Sequence, residues 1–226
     1  MRYIRYFNIV FSVILICWIL SNIFDIYRVS SASMSPTYNQ GDYVLIARTE
    51  KGIFDLFFKK RSIKRGSSYI FKLPNHYSNQ KYYSNDINTF FMKRCVGIAG
   101  DSLQIKNEKI FINSKPDRKL DLSNIDAIIK FDILGGYYYP HDSTVNWTTK
   151  KYGPIYIPRS TDEIVKTNFN EIVYSDLIGD YNSSKISFDD DYYFFIGDNS
   201  RISIDSRHYG FIPSQCIVGR VVCVVW

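Results

Sequence analysis

The sequence predicts a mostly β protein with one N-terminal transmembrane helix, and three observations carry that expectation. Tyrosine (19) and phenylalanine (16) are abundant among the 226 residues, and aromatic side chains favour strands over long helices. Downstream of the N-terminus the apolar residues come in short runs bounded by turn-forming residues, as strands do. One long apolar run without a charge, Phe7 to Phe24 (FNIVFSVILICWILSNIF), is enough for a tilted span of a bilayer.

Arg2 and Arg5 precede that run and Arg28 follows it closely. The excess of positive charge on the first side puts the N-terminus in the cytoplasm and everything beyond about residue 27 across the membrane. A cleavable signal peptide is the alternative, because Ser30-Ser31-Ala32 has the small-x-small form of a cleavage site. The run exceeds the usual apolar core of about 7–15 residues, which favours an anchor.

Asp42 to Ala47 reads as a buried strand entered from a Gly41 turn. Lys51 to Lys64 sets Ile53-Phe54-Asp55-Leu56-Phe57-Phe58 before Lys59-Lys60-Arg61. It suits either the bilayer interface or a solvated loop packed on one side. Tyr69 to Leu73 is a strand closed by Pro74, and residues 75–89 are a polar loop by composition. Strand character resumes over Thr89 to Arg94, and Gly97 to Asp101 is a turn. Leu103–Ile105 and Ile110–Ile112 pair as a hairpin through Lys106-Asn107-Glu108-Lys109. Around Asn113 the pattern changes. Residues 114–188 hold mixed short strands broken by Gly135-Gly136, Pro140, Gly153-Pro154 and Pro158. Strands return at Tyr192–Ile196 and Ile217–Trp226, the last too short and too interrupted by Arg220 to be a second span.

The charge balance of 28 Lys+Arg against 22 Asp+Glu, formally +6, suits a nucleic acid or an anionic membrane surface. The sequence patterns of nucleic-acid binders do not occur, which leaves the lipid bilayer as the expected neighbour and no nucleic acid. Cys17, Cys95, Cys216 and Cys223 lie in apolar runs without C-x-x-C spacing. Buried inert thiols are the expectation, a structural disulfide the lesser alternative, and zinc is not expected.

Three blocks carry candidate chemistry. Ser31-Ala32-Ser33-Met34-Ser35-Pro36-Thr37 puts a serine on a tight turn just past the anchor. Phe91-Met92-Lys93-Arg94-Cys95-Val96-Gly97 sets a lysine in an apolar run, and Gly197-Asp198-Asn199-Ser200-Arg201-Ile202-Ser203-Ile204-Asp205-Ser206-Arg207 lies near the C-terminus. A serine needs a base before it attacks a carbonyl, and a lysine can be that base only where desolvation lowers its pKa. In this order the blocks resemble the type I (leader) signal peptidases, membrane-anchored Ser-Lys proteases that remove signal peptides from exported preproteins.

The resemblance implies Ser33 as nucleophile and Lys93 as general base, the latter through Lys93-Arg94-x-Val96-Gly97-x-x-Gly100-Asp101. It implies Ser31 as a hydroxyl donor to the oxyanion beside the backbone N–H of Ser33, and Ser203 as the serine that hydrogen-bonds the lysine ammonium. Asp205 and Arg207 match the family's buried ion pair. Val29 and Met92, apolar and close to nucleophile and base, are candidate walls of pockets for small residues at an Ala-x-Ala cleavage site. A barrel-like antiparallel catalytic domain over 27–113 and 189–226 is implied, after an anchor at 1–26. An inserted α+β subdomain at 114–188 is implied too, with the substrate bound as an added strand. The family needs no metal or cofactor and works from the inner (plasma) membrane with its catalytic domain on the extracytoplasmic face. Three departures from its pattern appear: Ala99 where Pro is frequent, Ser200-Arg201 where Arg-Asp is common, and Ser67 where Asp follows Gly66.

Other readings stay open. His76, His141 and His208 lie in two polar loops and beside Arg207, so a Ser-His-Asp hydrolase is possible but unsupported by position. A specialised Ser-Lys maturase of the conjugation-pilin type would share the motifs. A non-catalytic membrane-anchored β module would not need both Ser33 and Lys93.

Overall fold

The structure, a computed structural model, describes residues 2–49, 62–74, 89–121, 138–178 and 183–226. Most of the basic aromatic stretch that begins at Lys51, the polar loop at 75–88 with His76, and the Gly135-Gly136 turn lie outside the described residues.

Helix α1 spans Arg2–Ile23. Its segment Tyr6–Ile23, of mean hydropathy 2.0, has no buried residue and is long and apolar enough to cross a membrane. The chain then turns at once into strand β1 (Phe24–Arg28), three residues before the boundary at 27 expected from sequence. The remaining strands follow as β2 (Tyr43–Arg48), β3 (Ser68–Lys72), β4 (Phe90–Gly97), β5 (Ser102–Lys106), β6 (Lys109–Ile112) and β7 (Lys115–Asp121). After them come β8 (Lys151–Tyr156), β9 (Glu163–Val165), β10 (Lys185–Ser187), β11 (Tyr192–Ile196), β12 (Ile212–Pro213) and β13 (Ile217–Val224). Two short α-helices, α2 (Asn168–Val173) and α3 (Ser206–Tyr209), and 3-10 turns at Ala32–Met34, Ser175–Leu177 and Ser214–Cys216 complete the described elements.

Seven strands form an antiparallel sheet in the order β1-β2-β13-β3-β4-β11-β12. It is strongly curled. Tyr27 on β1 meets Phe90 on β4 edge to face at 5.0 Å, although three strands separate β1 from β4 in the sheet order. Register shifts in β13 against both neighbours, and between β11 and β4, mark where the curl is taken up. Strand alternation then sorts side chains to two faces. Ile70 joins Val29, Val44, Ile46, Val218 and Val221 inside the curl, with Tyr27, Tyr38 and Met92 packed on them. Tyr69 and Phe71 point the other way, into a cluster with Cys95, Phe195, Tyr209 and Ile217. The fold is a mostly β half-barrel with one N-terminal apolar helix: composition and apolar patterning led us to expect the strands and the helix, and the family resemblance implied the barrel-like form.

A second antiparallel sheet runs β7-β6-β5-β8. Its expected hairpin closes through Asn107 and Glu108, both at positive φ (49° and 65°), the two-residue turn whose twist matches paired strands. Asn113 and Ser114 repeat that conformation at the next turn (51° and 66°) and lead into β7. The hydrogen bonding therefore crosses residue 113. Leu103, Ile105, Ile110 and Ile112 also share one buried cluster with Tyr138, Tyr139, Tyr152, Val173, Tyr174 and Ile186. The change of sequence character at 113 is not a break in packing, because the 102–112 hairpin has its apolar side covered by residues of 138–188. All four cysteines are free, but the expected burial holds for Cys95 alone: Cys216 is half-buried, and Cys17 on α1 and Cys223 near the end of β13 are exposed.

Candidate active site

Ser33 sits in a 3-10 turn, Ala32–Met34, that begins four residues after β1, with Ser31 still extended (φ −140°, ψ 163°). Met34, 1% exposed, plugs the turn into the protein. Its carbonyl accepts the Tyr38 N–H (3.0 Å), and the Ala32 carbonyl accepts that of Ser35 (3.1 Å). A buried apolar anchor and two turn hydrogen bonds leave the Ser33 side chain one direction to face.

It faces Lys93. Strand β4 sets Lys93 opposite Tyr69 on β3, and the side chain is almost wholly buried, 4% exposed. Its Nζ donates to Ser33 Oγ at 2.6 Å. Burial lowers the lysine pKa to about 8, with Asp205 and Asp198 pulling it back up and Arg207 pushing it further down. The Ser31 and Ser33 hydroxyls are 3.1 Å apart. Among the described residues, the side-chain hydrogen bonds of Ser33 go to Lys93 and Ser31. Neither described histidine is among them. His141 lies in the loop after Tyr139, and the His208 Nδ1 accepts the Asp205 N–H as part of the α3 cap.

Asp205 and Arg207 form the expected buried pair, both at 0% side-chain exposure. The guanidinium donates from Nε to Oδ1 (2.8 Å) and from one terminal nitrogen to Oδ2 (2.7 Å), the two-armed geometry that best repays burial. Burial alone would raise the Asp205 carboxyl, but Arg207 holds it below the usual carboxylate range. Asp205 Oδ2 also accepts the Gly197 N–H at 3.1 Å.

Ser203 departs from its expected contact. Its hydroxyl is buried but has no hydrogen-bond partner among the described residues, so it does not hold the Lys93 ammonium here. It packs on Gly197 instead. A Cβ at that glycine would lie 2.2 Å from Ser203 Oγ and 2.6 Å from the Ser33 carbonyl oxygen. Ser203 and the Ser33 backbone thus crowd the same point, and only a glycine lets the chain pass between them.

Several contributors were not singled out from sequence, although each lies inside a quoted block. Arg94 points away from Lys93, as strand alternation requires, and grips Asp198 with Nε at 2.7 Å and Gly66 O with another nitrogen at 2.6 Å. Asn199 donates its backbone N–H to the Ser33 carbonyl (3.0 Å) and its side-chain amide to Ala32 O (3.3 Å). Their signal was proximity to the motif residues. Nothing in residue type separated them from ordinary turn formers.

Beside Ser33 and Lys93 lies an open groove of about 450 Å³, in the mouth of the curl. Val29 and Met92 both line it, with Tyr27, Ile70, Phe90 and Ile202. Along it β1 is an edge strand, and residues 90–93 of β4 pair only with β3 among the described residues. No group of three or more His, Cys, Asp and Glu among the described residues could hold a metal ion.

Comparison with known proteins bears on the whole chain. Residues 2–226 match the family model described as signal peptidase, peptidase S26. The signal peptidase I of Buchnera aphidicola subsp. Schizaphis graminum is 28% identical over 222 residues, covering 89% of this chain and 68% of that protein. Signal peptidase I V of Bacillus subtilis strain 168 is 24% identical over 212 residues, 94% of this chain and 92% of that one. The crystal structure of a signal peptidase I from Enterococcus faecalis V583 covers 72% of this chain and 98% of its own, at 16% identity and a TM-score of 0.37.

Proposed function

The chain belongs to the signal peptidase family, peptidase S26, and on that premise we propose that it cuts signal peptides from exported preproteins with a Ser33–Lys93 dyad. The observation that carries the dyad is the 2.6 Å contact between Lys93 Nζ and Ser33 Oγ, in a buried setting that brings the lysine to about 8. A lysine of that pKa is about one-tenth neutral at pH 7, against less than one-thousandth for an exposed one. It is therefore usable as a base near neutral pH.

The steps follow from that pair. Neutral Lys93 takes the Ser33 proton as Oγ bonds to the carbonyl carbon before the cut. The negative oxygen that forms faces the Ser33 N–H and the Ser31 hydroxyl, donors that act mainly once the charge has developed. Collapse breaks the C–N bond, and the Lys93 ammonium returns its proton to the departing amine of the mature protein. Water then gives a proton to Lys93 and attacks the ester, and Ser33 leaves with that proton restored. Asp205 and Arg207 act as scaffold, holding the Gly197 backbone against the nucleophile's turn.

The substrate segment lies in the groove as an extended strand between β1 and the start of β4, bonding through its main chain. Val29 and Met92 wall the pocket nearest the reacting groups, which suits small side chains of the Ala-x-Ala kind. Helix α1 anchors the chain in the inner (plasma) membrane, single-pass, with Arg2 and Arg5 on the cytoplasmic side and the groove on the extracytoplasmic one. The reacting groups all come from 27–113 and 189–226, the parts we assign as the catalytic domain, with 114–188 as its inserted subdomain.

The test is to incubate the detergent-solubilised protein with a preprotein and sequence the new N-terminus. We expect one cut after a small-x-small sequence, abolished by Ser33→Ala and by Lys93→Ala, with the double variant no worse than either single one. Full processing by either single variant would overturn the dyad.

A further inference from the structure

The peptide unit joining Ala32 to Ser33 carries the Ala32 carbonyl at one edge and the Ser33 N–H at the other. That carbonyl accepts the Asn199 side-chain amide (3.3 Å) as well as the Ser35 N–H (3.1 Å). The next carbonyl, of Ser33 itself, accepts the Asn199 backbone N–H (3.0 Å). One residue thus grips both peptide units that flank the Ser33 Cα. The amide orientation follows from its partner, since turning it would set Oδ1 against the Ala32 oxygen with no proton between them. In this orientation Oδ1 is buried without a hydrogen-bond partner among the described residues. That is a cost which packing alone gives no reason to keep. Asn199 is itself held firmly, because its neighbour Asp198 is gripped by Arg94 and the Gly197 N–H is bound to Asp205.

We propose that Asn199 is a positioning residue for the oxyanion donor: its side-chain amide fixes the Ala32–Ser33 peptide so that the Ser33 N–H points at the oxygen that becomes negative. This rests on the reading of Ser33 as nucleophile. The peptide plane is stiff, so holding its carbonyl aims its N–H. A hydrogen bond into the carbonyl also polarises the unit and makes the N–H a better donor. The benefit is felt mainly in the transition state, where the charge exists.

The experiment uses the full chain in detergent and a peptide ending at an Ala-x-Ala site in three forms: cleavable, C-terminal amide and C-terminal aldehyde. Ser33 Oγ adds to the aldehyde carbon and passes its proton to Lys93, leaving a tetrahedral oxyanion that mimics the reaction. Asn199→Ala lowers kcat by roughly 10-fold or more, a fraction of what loss of a direct donor costs. Asn199→Asp, of nearly the same shape, sets an acceptor against Ala32 O and lowers it further. Aldehyde affinity falls by the same factor, while KM, amide affinity and the pH of half-maximal rate stay put. Melting is followed beside the kinetics, and the Asp variant keeps the test open if the Ala variant does not fold. Unchanged kcat in Asn199→Ala, or an equal loss of aldehyde and amide binding, overturns the positioning role alone. A wild-type protein that leaves the cleavable peptide intact overturns the reading of the site, and this role with it.

Discussion

Replacing Lys93 with methionine should make the protein more stable while destroying its activity. Burial moves the lysine from 10.5 to about 8, and each pKa unit corresponds to about 1.4 kcal/mol. At neutral pH the fold therefore carries a penalty of about 3 kcal/mol for keeping an ammonium in that position. Methionine has similar length and no charge, so it removes the penalty at the loss of one hydrogen bond to Ser33, about 1 kcal/mol. The net gain is about 2 kcal/mol, a rise in melting temperature of roughly 4–8 °C for a chain of this size. The sign of the pH dependence is fixed as well. Native Lys93 loses its proton near 8, while the unfolded chain keeps it to 10.5, so between those values the unfolded state binds more protons and wild-type stability rises with pH. Below 8 both states are protonated and the penalty is constant. The methionine variant has no such term, and groups that titrate alike in both proteins cancel in the difference. Melting curves of both proteins in one detergent, at pH 7 and pH 10, measure the gap. The variant should lead at pH 7, and most of its lead should be gone at pH 10. A variant that melts below wild type at pH 7, or a gap that ignores pH, would refute the desolvation argument.

Three further outcomes follow from the same geometry. The rate at low substrate, kcat/KM, should climb with pH and level off above about 8, where native Lys93 is neutral. Lys93→Arg should be inactive at every pH up to 10, since a guanidinium does not act as a base there; measurable cleavage by it would mean that another group takes the proton. Gly197→Ala should cost stability, about 1–3 kcal/mol by overpacking, because its methyl would meet Ser203 and the Ser33 carbonyl at 2.2 and 2.6 Å. It should lower kcat too by displacing the Ser33 turn, so an Ala variant with wild-type melting and rate would show that the site accommodates the crowding.

Much of the architecture could be read along the chain, because local patterns cause it. The uncharged run Phe7–Phe24 became α1, and the alternating or fully apolar runs became β2, β3, β4, β11 and β13 within a few residues. The hairpin closed through Asn107 and Glu108 as turn chemistry requires. The motif serines and the lysine were legible for the same reason, each lying in a short block with its own signature. Strand β1 was not legible, because Phe24-Asp25-Ile26-Tyr27-Arg28 directly continues an apolar helix. Only its pairing with β2 makes it a strand. The unbroken packing across residue 113 was hidden too, since a cluster joining Ile112 to Tyr138 and Ile186 leaves no local trace.

What tertiary structure alone decided is the chemistry of the site. Residue type marks Lys93 as a possible base, but its low pKa comes from burial, which depends on what β3, the Ser33 turn and the Asp205–Arg207 pair place around it. The grip of Asn199 on the Ser33 turn spans 167 residues of sequence, and the Ser203 hydroxyl packs on Gly197 instead of bonding the lysine. Sequence determines which groups are available. Their distances, and the solvent each one loses, are set by contacts between segments far apart in the chain, and hydrogen bonds and desolvation act over a few ångströms of space without regard to position along it.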